Sequence, residues 1–210
     1  MTAPAAANPG TVYVVDDDAS MGKALGRLLR SEGYVVHSFE SAPAFLAYDG
    51  HMMPSCAVFD IRMPPMDGLA LHAALRQAGR ALPVVFITGH GDVRTSVQAM
   101  KDGAIDFLEK PFTDEALLRA VRTALQASER TALIQEDRQA LARKVALLTP
   151  RERQVFALVA QGLPNKVVGA RIGTTEKTVK VHRARVMEKM AADSLADLVR
   201  MAQKIDPGKP

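Results

Sequence analysis

The 210-residue chain reads as an α/β domain, built on a doubly wound five-stranded parallel sheet, followed by a smaller all-α domain. Three observations predict this. Short apolar runs near 11–15, 34–39, 55–59, 83–87 and 105–108 alternate with helical patterns near 19–32, 41–48, 67–78 and 92–102. The runs at 12–15, 56–59 and 84–87 are continuously apolar rather than alternating, as in strands covered by helices on both faces. Beyond Thr113 the strand signal stops, and helical spacing continues to the end of the chain.

Right-handed crossovers between parallel strands give the doubly wound arrangement. Pro83, Gly103 and Pro64-Pro65 fall between elements, where their backbone restrictions do least harm. From Thr113 to Thr149 there is neither Gly nor Pro, and Leu117, Val121, Leu125, Leu133, Leu141, Val145 and Leu148 recur at helix-compatible spacing, so one helix is expected over most of that length. Residues 128–144 are polar enough for an exposed helical linker. A plain connecting helix and a dimerising coiled segment fit it equally. Thr149 and Pro150 mark an N-cap with proline at the first helical position, and Glu152 completes a capping box. Gly162 ends that helix, Gly173 ends the next, and Thr175 caps a third, basic helix. Val179, Val186 and Met190 share the core face of the third helix, leaving Lys177, Lys180, Val181, Ala184 and Arg185 outside. A fourth helix near SLADLVRMAQKI closes the domain, and a helix, a tight turn and a basic helix together make a helix-turn-helix. The expected organisation is a disordered leader at 1–9, the α/β domain at 10–127, the helical linker at 128–145, the helix-turn-helix domain at 146–205 and a tail at 206–210.

Charge separates the two halves. Residues 1–127 carry 11 Lys/Arg against 14 Asp/Glu (net −3), and residues 128–210 carry 16 against 9 (net +7). Basic charge gathered in a small helical domain points to a polyanion, nucleic acid before an acidic membrane surface. The lone Cys56 excludes an internal disulfide and suits a reducing compartment. No segment has the apolar length of a membrane span, and the leader lacks the basic start and apolar core of a signal peptide, so a soluble cytoplasmic protein without a membrane partner is expected.

Successive strands of the first half run into residues with phosphoryl chemistry: VYVV into Asp16 and Asp17, AVF into Asp60, VVFI into Thr88, and IDFLE into Lys110. In a parallel sheet all these strand ends lie on one edge and meet in one crevice. Carboxylates there suit Mg²⁺, which takes hard oxygen ligands and keeps several waters. An ammonium and a hydroxyl suit the oxygens of a transferring phosphoryl group. Gly89 beside Thr88 leaves room, and a cis Lys110-Pro111 bond would aim the lysine inward. The same aspartates have a plainer use: Asp17 or Asp18 fits as the N-cap of the helix from Ala19.

VVDDD, FDIRMPPMDG, ITGHGD and FLEKPF, in that order over about residues 10–127, resemble the receiver domains of two-component response regulators. Residues 146–205, with TVKVHRARVMEKM as their most specific stretch, resemble the LuxR/NarL type of DNA-binding domain, and the whole chain is similar to FixJ-type regulators. The resemblance implies that Asp60 accepts phosphate from a sensor histidine kinase. Asp16, Asp17, Asp60 and the carbonyl of Arg62 would hold Mg²⁺, and Thr88 and Phe107 would form the switch pair. Phe107 replaces the tyrosine of many receivers, so any switching there works by ring packing. The DNA contacts would fall on Lys180, Val181 and Ala184, with Lys177, Thr178, His182 and Arg185 beside them. Ala184 stands where relatives have a basic residue, which leaves it a methyl contact to thymine, and His182 reads more simply as a packed helix residue. Phosphorylation would drive homodimerisation and binding to double-stranded DNA. Contact with RNA polymerase is left open. Arg62 and His90 lie two residues past Asp60 and Thr88, where their side chains would shield the phosphoryl group.

Two other functions fit parts of the pattern. A phosphohydrolase of the haloacid-dehalogenase sort would also use an aspartyl phosphate, but its second acid belongs two residues after the nucleophile, and Arg62 is a poor acid or base at neutral pH. A DNA-binding module indifferent to phosphorylation would keep the acidic crevice as structure only. The leading expectation is a transcription regulator that catalyses only its own phosphoryl transfer and dephosphorylation.

Overall fold

The computed structural model describes residues 10–50, 52–89 and 93–205. The leader at 1–9, His90 and the tail at 206–210 lie outside the described residues. The chain divides into two compact units, one running to Ala132 and the other from Leu133.

In the first unit, β1 (Thr11–Val15), β2 (Val35–Phe39), β3 (Ser55–Asp60), β4 (Val84–Thr88) and β5 (Asp106–Glu109) form one sheet of order β2-β1-β3-β4-β5. Every pairing is parallel. Period-two alternation assigns each strand residue to a face. Val12, Val14, Val58 and Ile87 pack with Leu25 and Leu29 of α1 (Ala19–Ser31) and with Leu117 and Val121 of α5 (Asp114–Ala146). Tyr13, Val15, Phe59 and Phe86 turn the other way, toward Phe45 of α2 (Ala42–Leu46), Leu71 and Leu75 of α3 (Gly68–Gln77) and Ala99 of α4 (Val93–Lys101). β1, β3 and β4 are buried along their whole length, which is why they carry no polar alternation. Cys56 is buried in β3, and burial pushes its thiol up to about 12, so it is an inert core residue.

The helices start where the sequence offers caps. Asp18, not Asp17, caps α1, accepting from the N–H groups of Ser20 and Met21. That leaves the adjacent Asp17 exposed and free of the capping role. Ser41 caps α2, which spans only five residues, shorter than the expected 41–48.

The long helix is present as α5, 33 residues or roughly 50 Å of continuous helix. It is not uniformly a solvated connector. Ser128, at the start of the expected linker, is wholly buried, and its hydroxyl accepts the N–H of Ser55 at 3.0 Å. It continues the stripe of Leu117, Val121, Ala124 and Leu125 at helical spacing, so the packed face outruns the apolar residues that advertise it. Residues 133–139 are exposed throughout, Leu133 at 65% included. Leu141 is buried again, and Val145 packs into the core of the second unit.

That unit holds α6 (Pro150–Ala160), α7 (Asn165–Ile172), α8 (Glu176–Met190) and α9 (Leu195–Ile205). Its core is Leu148, Val155, Phe156, Val159, Val168, Val179, Val186, Met190 and Leu198. The capping box at Thr149 and Glu152 forms as expected, and Thr175 caps α8. Gly173 ends α7 at φ +68°, a left-handed conformation in which glycine bears no Cβ penalty.

Replacing Ser128 by alanine leaves the buried N–H of Ser55 without its acceptor. We expect a loss of about 1–3 kcal/mol in the α/β unit, against no measurable change for Glu129→Ala on the exposed face, read by chemical denaturation.

Candidate functional site

The strand order reverses beside β1, so the crevice between the C-terminal ends of β1 and β3 is the natural binding position of this sheet. Asp16 follows β1 and Asp60 ends β3, and both are buried, at 2% and 6% exposure. From the end of β5, Lys110 reaches both: its Nζ lies 2.7 Å from Asp60 Oδ1 and 3.3 Å from Asp16 Oδ2. Residues separated by 94 and 50 positions thus meet in one ionic cluster. The Lys110-Pro111 bond is cis, and the Lys110 N–H donates to the Thr88 carbonyl at 2.7 Å. Thr88 itself is buried at the end of β4.

Backbone donors complete the setting. The N–H of Arg62 donates to Asp60 Oδ2 at 2.7 Å, and the N–H of Asp18 to Asp16 Oδ1 at 2.9 Å. Burial raises the Asp16 carboxyl, an effect offset only in part by that backbone bond and by Lys110. Burial alone would lower Lys110, but the hydrogen bond to Asp60 and the charge of Asp16 outweigh it and hold the ammonium above its ordinary range.

The structure therefore brings Asp16, Asp60, Lys110 and the main chain of Arg62 together. Asp17 is exposed beside them. Among the described residues no three side chains of the His, Cys, Asp and Glu types stand close enough to cage a metal ion. The chemistry of the set still fits a divalent cation: the carboxylates of Asp16 and Asp60, which share one ammonium, and that of the neighbouring Asp17 are hard oxygen donors, and Mg²⁺ needs only one or two of them with water filling the rest. The Arg62 side chain is exposed, and Phe107 is half-buried against the cluster of Phe59 and Phe86.

One residue of this site escaped the sequence reading. Gly68 begins α3 beside the end of β3, and its N–H donates to the Ile61 carbonyl at 3.0 Å. A Cβ at this position would overlap the carbonyl oxygen of Asp60. Asp67 caps α3, accepting the N–H of Ala70, but the close approach of two backbones at Gly68 is not a local property.

In the second unit, Lys177, Thr178, Lys180, Val181, Ala184 and Arg185 all lie on the exposed face of α8, as helical spacing required. Val179, Val186 and Met190 are buried on the opposite face. His182 is half-buried, with a buried Nδ1 that has no hydrogen-bond partner. Gly169 lets α7 close onto the following turn, since a Cβ there would come within 2.8 Å of the Thr174 carbonyl oxygen.

A cation-bridged acid pair at the switch point of a doubly wound sheet, joined in one chain to a basic helix-turn-helix, defines the class of receiver-controlled DNA-binding proteins. Comparison with known proteins agrees. Residues 12–122 match the response regulator receiver domain family, and residues 146–202 match the luxR family of bacterial regulatory proteins. The chain is similar to the transcriptional regulatory protein FixJ of Bradyrhizobium diazoefficiens, 43% identical over 195 residues that cover 93% of this chain and 95% of that protein. It is similar to the tetrathionate response regulatory protein TtrR of Salmonella typhimurium, 42% identical with 93% of each covered. Among solved structures, the response regulator StyR superposes with a TM-score of 0.80 at 43% identity, covering 93% of this chain and 98% of that one. Full-length FixJ from B. japonicum gives 0.58 at 41% identity, covering 97% and 100%. The chain belongs to the two-component response regulators, with a CheY-like receiver and a LuxR-type DNA-binding domain, and regulates transcription.

Two outcomes test the geometry. Gly68→Ala should displace the acceptor and slow phosphorylation by a small acyl phosphate at least severalfold, with a stability loss of about 1–3 kcal/mol. Asp16→Asn should stabilise the receiver near neutral pH. The folded carboxyl of Asp16 is raised above its unfolded value, so keeping it ionised costs the fold at neutral pH, and that cost disappears as pH falls below the unfolded value. The expected gain is on the order of 1 kcal/mol, roughly 2–4 °C in thermal midpoint, and the difference between variant and wild type should vanish in acid.

Proposed function

We propose that Asp60 is the phosphoacceptor and that its modification controls DNA binding by the second domain. An Asp60 oxygen attacks phosphorus on the phosphohistidine of a sensor kinase, the P–N bond breaks, and the imidazole leaves with the electron pair. The ion pair between Lys110 and Asp60, at 2.7 Å, is the observation that carries this reading. It holds a cation where the phosphoryl group would arrive, and electrostatic stabilisation of spreading phosphoryl charge is the main catalytic need of such a transfer. Asp16, Asp17, Asp60 and the Arg62 carbonyl would hold Mg²⁺, which supplies further positive charge against the transferring group. Lys110 and the Thr88 hydroxyl engage the phosphoryl oxygens.

Phosphorylation replaces a single-charge carboxylate by a group of about −1.5 to −2 charge with three acceptor oxygens. Lys110 and Thr88 then have a differential reason to favour one arrangement of the receiver over another, which a population shift requires. Phe107, half-buried in β5, follows by repacking. The shifted receiver dimerises, and two copies of α8 bind two half-sites of double-stranded DNA with the gain of effective concentration that dimerisation brings. On α8, Lys180, Val181 and Ala184 face base edges, and Lys177, Thr178 and Arg185 neutralise or hydrogen-bond phosphates. The protein works in the cytoplasm and turns over no external substrate.

Mass spectrometry after incubation with Mg²⁺ and a small acyl-phosphate donor should show one added phosphoryl group on the wild type and none on Asp60→Asn. Sizing of the same samples should show dimers only where the group is present. Equal modification of both proteins would reject Asp60 as the acceptor. DNA affinity identical with and without the donor, at fixed salt, would favour the phosphorylation-indifferent module.

A further inference from the structure

α8 carries five basic side chains, Lys177, Lys180, Arg183, Arg185 and Lys189. In sequence they form one class, the charge of a DNA-facing helix. The structure divides them. Lys177, Lys180 and Arg185 are exposed, whereas Arg183 reaches Asn165 Oδ1 at 3.3 Å and Lys189 is directed wholly at protein groups. Lys189 Nζ lies 2.7 Å from Glu152 Oε2 and donates to the Leu147 carbonyl at 3.2 Å.

The Glu152 carboxylate is 3% exposed and also accepts the N–H of Thr149 at 2.8 Å. The Lys189 hydrogen bond, with that of Thr149 behind it, lowers its carboxyl to about 2, so it stays charged at any working pH. Beside it, Arg153 Nε donates to the Leu148 carbonyl at 3.0 Å. The two carbonyls that follow the end of α5 are thus each held by a cation, one from α8 and one from α6. These are groups that a helix C-terminus leaves unsatisfied, and positive charge suits them. One lysine therefore ties three things: the turn after α5, the first turn of α6 and the last turn of α8. Drawing its ammonium out to a phosphate would leave a buried carboxylate unpaired, a costly state.

We infer that Lys189 is a positioning residue for DNA recognition, fastening the C-terminal end of α8 to the α5–α6 junction and contacting no phosphate itself. Rigid support of this kind decides binding because contact residues must be held close to their productive geometry. Lys180 is nine residues up the helix, about 13.5 Å from the anchor, so loosening that end swings the contact face. The inference rests on the DNA-binding role of α8.

Salt dependence separates positioning from phosphate contact. Each phosphate neutralised contributes about 0.9 to the slope of log affinity against log salt. The full-length, acyl-phosphate-treated protein is titrated with a duplex that the wild type has selected from a random library, at several salt concentrations. Lys189→Met should lose about tenfold in affinity at fixed salt, equivalent to about 1.4 kcal/mol, with the wild-type slope unchanged. Lys177→Met should lower the slope by roughly one contact. Lys189→Arg, which can bridge the same oxygens, should recover most of the affinity. If Lys189→Met alone unfolds the domain, the double variant Lys189→Met/Glu152→Gln, which leaves no buried charge unpaired, serves for the same titration and should again keep the slope while losing affinity. A slope lowered as in Lys177→Met, or affinity unaffected, overturns the inference. A wild type that selects no duplex at all overturns the DNA-binding role beneath it instead.

Discussion

The Lys110 ammonium between Asp16 and Asp60 is the interaction on which the receiver's function depends. It links the ends of three strands, β1, β3 and β5, that are far apart in sequence, and it sets a positive charge between two buried carboxylates. An acid pair without that cation would face each other with nothing to offset their repulsion. With it, the site holds negative charge in reserve beside a cation already in place, a favourable condition for accepting a phosphoryl group. The cluster is also a source of tension, because Asp16 remains harder to ionise than in water. Under the proposed function, phosphorylation of Asp60 would change the charge that Lys110 faces, and a signal leaving the site would begin there.

The second unit solves a related problem with different parts. A recognition helix must expose cations and polar groups to DNA, yet it stays in place only if its other face is held. Val179, Val186 and Met190 supply the apolar half of that hold, and the half-buried Lys189 on the buried Glu152 carboxylate supplies the ionic half at one end. In both units a lysine paired with a buried carboxylate ties separate elements together. Between them runs a helix whose packed faces belong to one unit at Ser128 and to the other at Leu141 and Val145, with a bare stretch at 133–139.

Strand runs such as VYVV and VVFI were legible because a strand buried on both faces must be apolar at every position. The caps at Thr149 and Thr175 and the stop at Gly173 were legible because they answer to neighbours within four residues. Ser128 was misread as linker because a small polar residue that packs by hydrogen-bonding Ser55, 73 positions away, carries no local hydrophobic mark. Leu133 keeps the helical spacing of Leu117, Val121 and Leu125 yet is exposed, because periodicity predicts a helix and cannot say where its packed face ends. Asp17 and Asp18 were interchangeable as caps until the phase of α1 chose Asp18.

By itself, then, the amino-acid sequence determined the order of elements, the division into an acidic α/β half and a basic helical half, and the residue types gathered at the strand ends. Those properties depend on periodicity, capping and chain order, which act over short distances or follow from parallel topology alone. Tertiary structure decided which carboxylates share Lys110 and which one stays in solvent, why Gly68 must lack a side chain, and which lysine of α8 turns inward. Each of those outcomes depends on the ångström-scale approach of groups tens of residues apart, and only the packed backbone sets that distance.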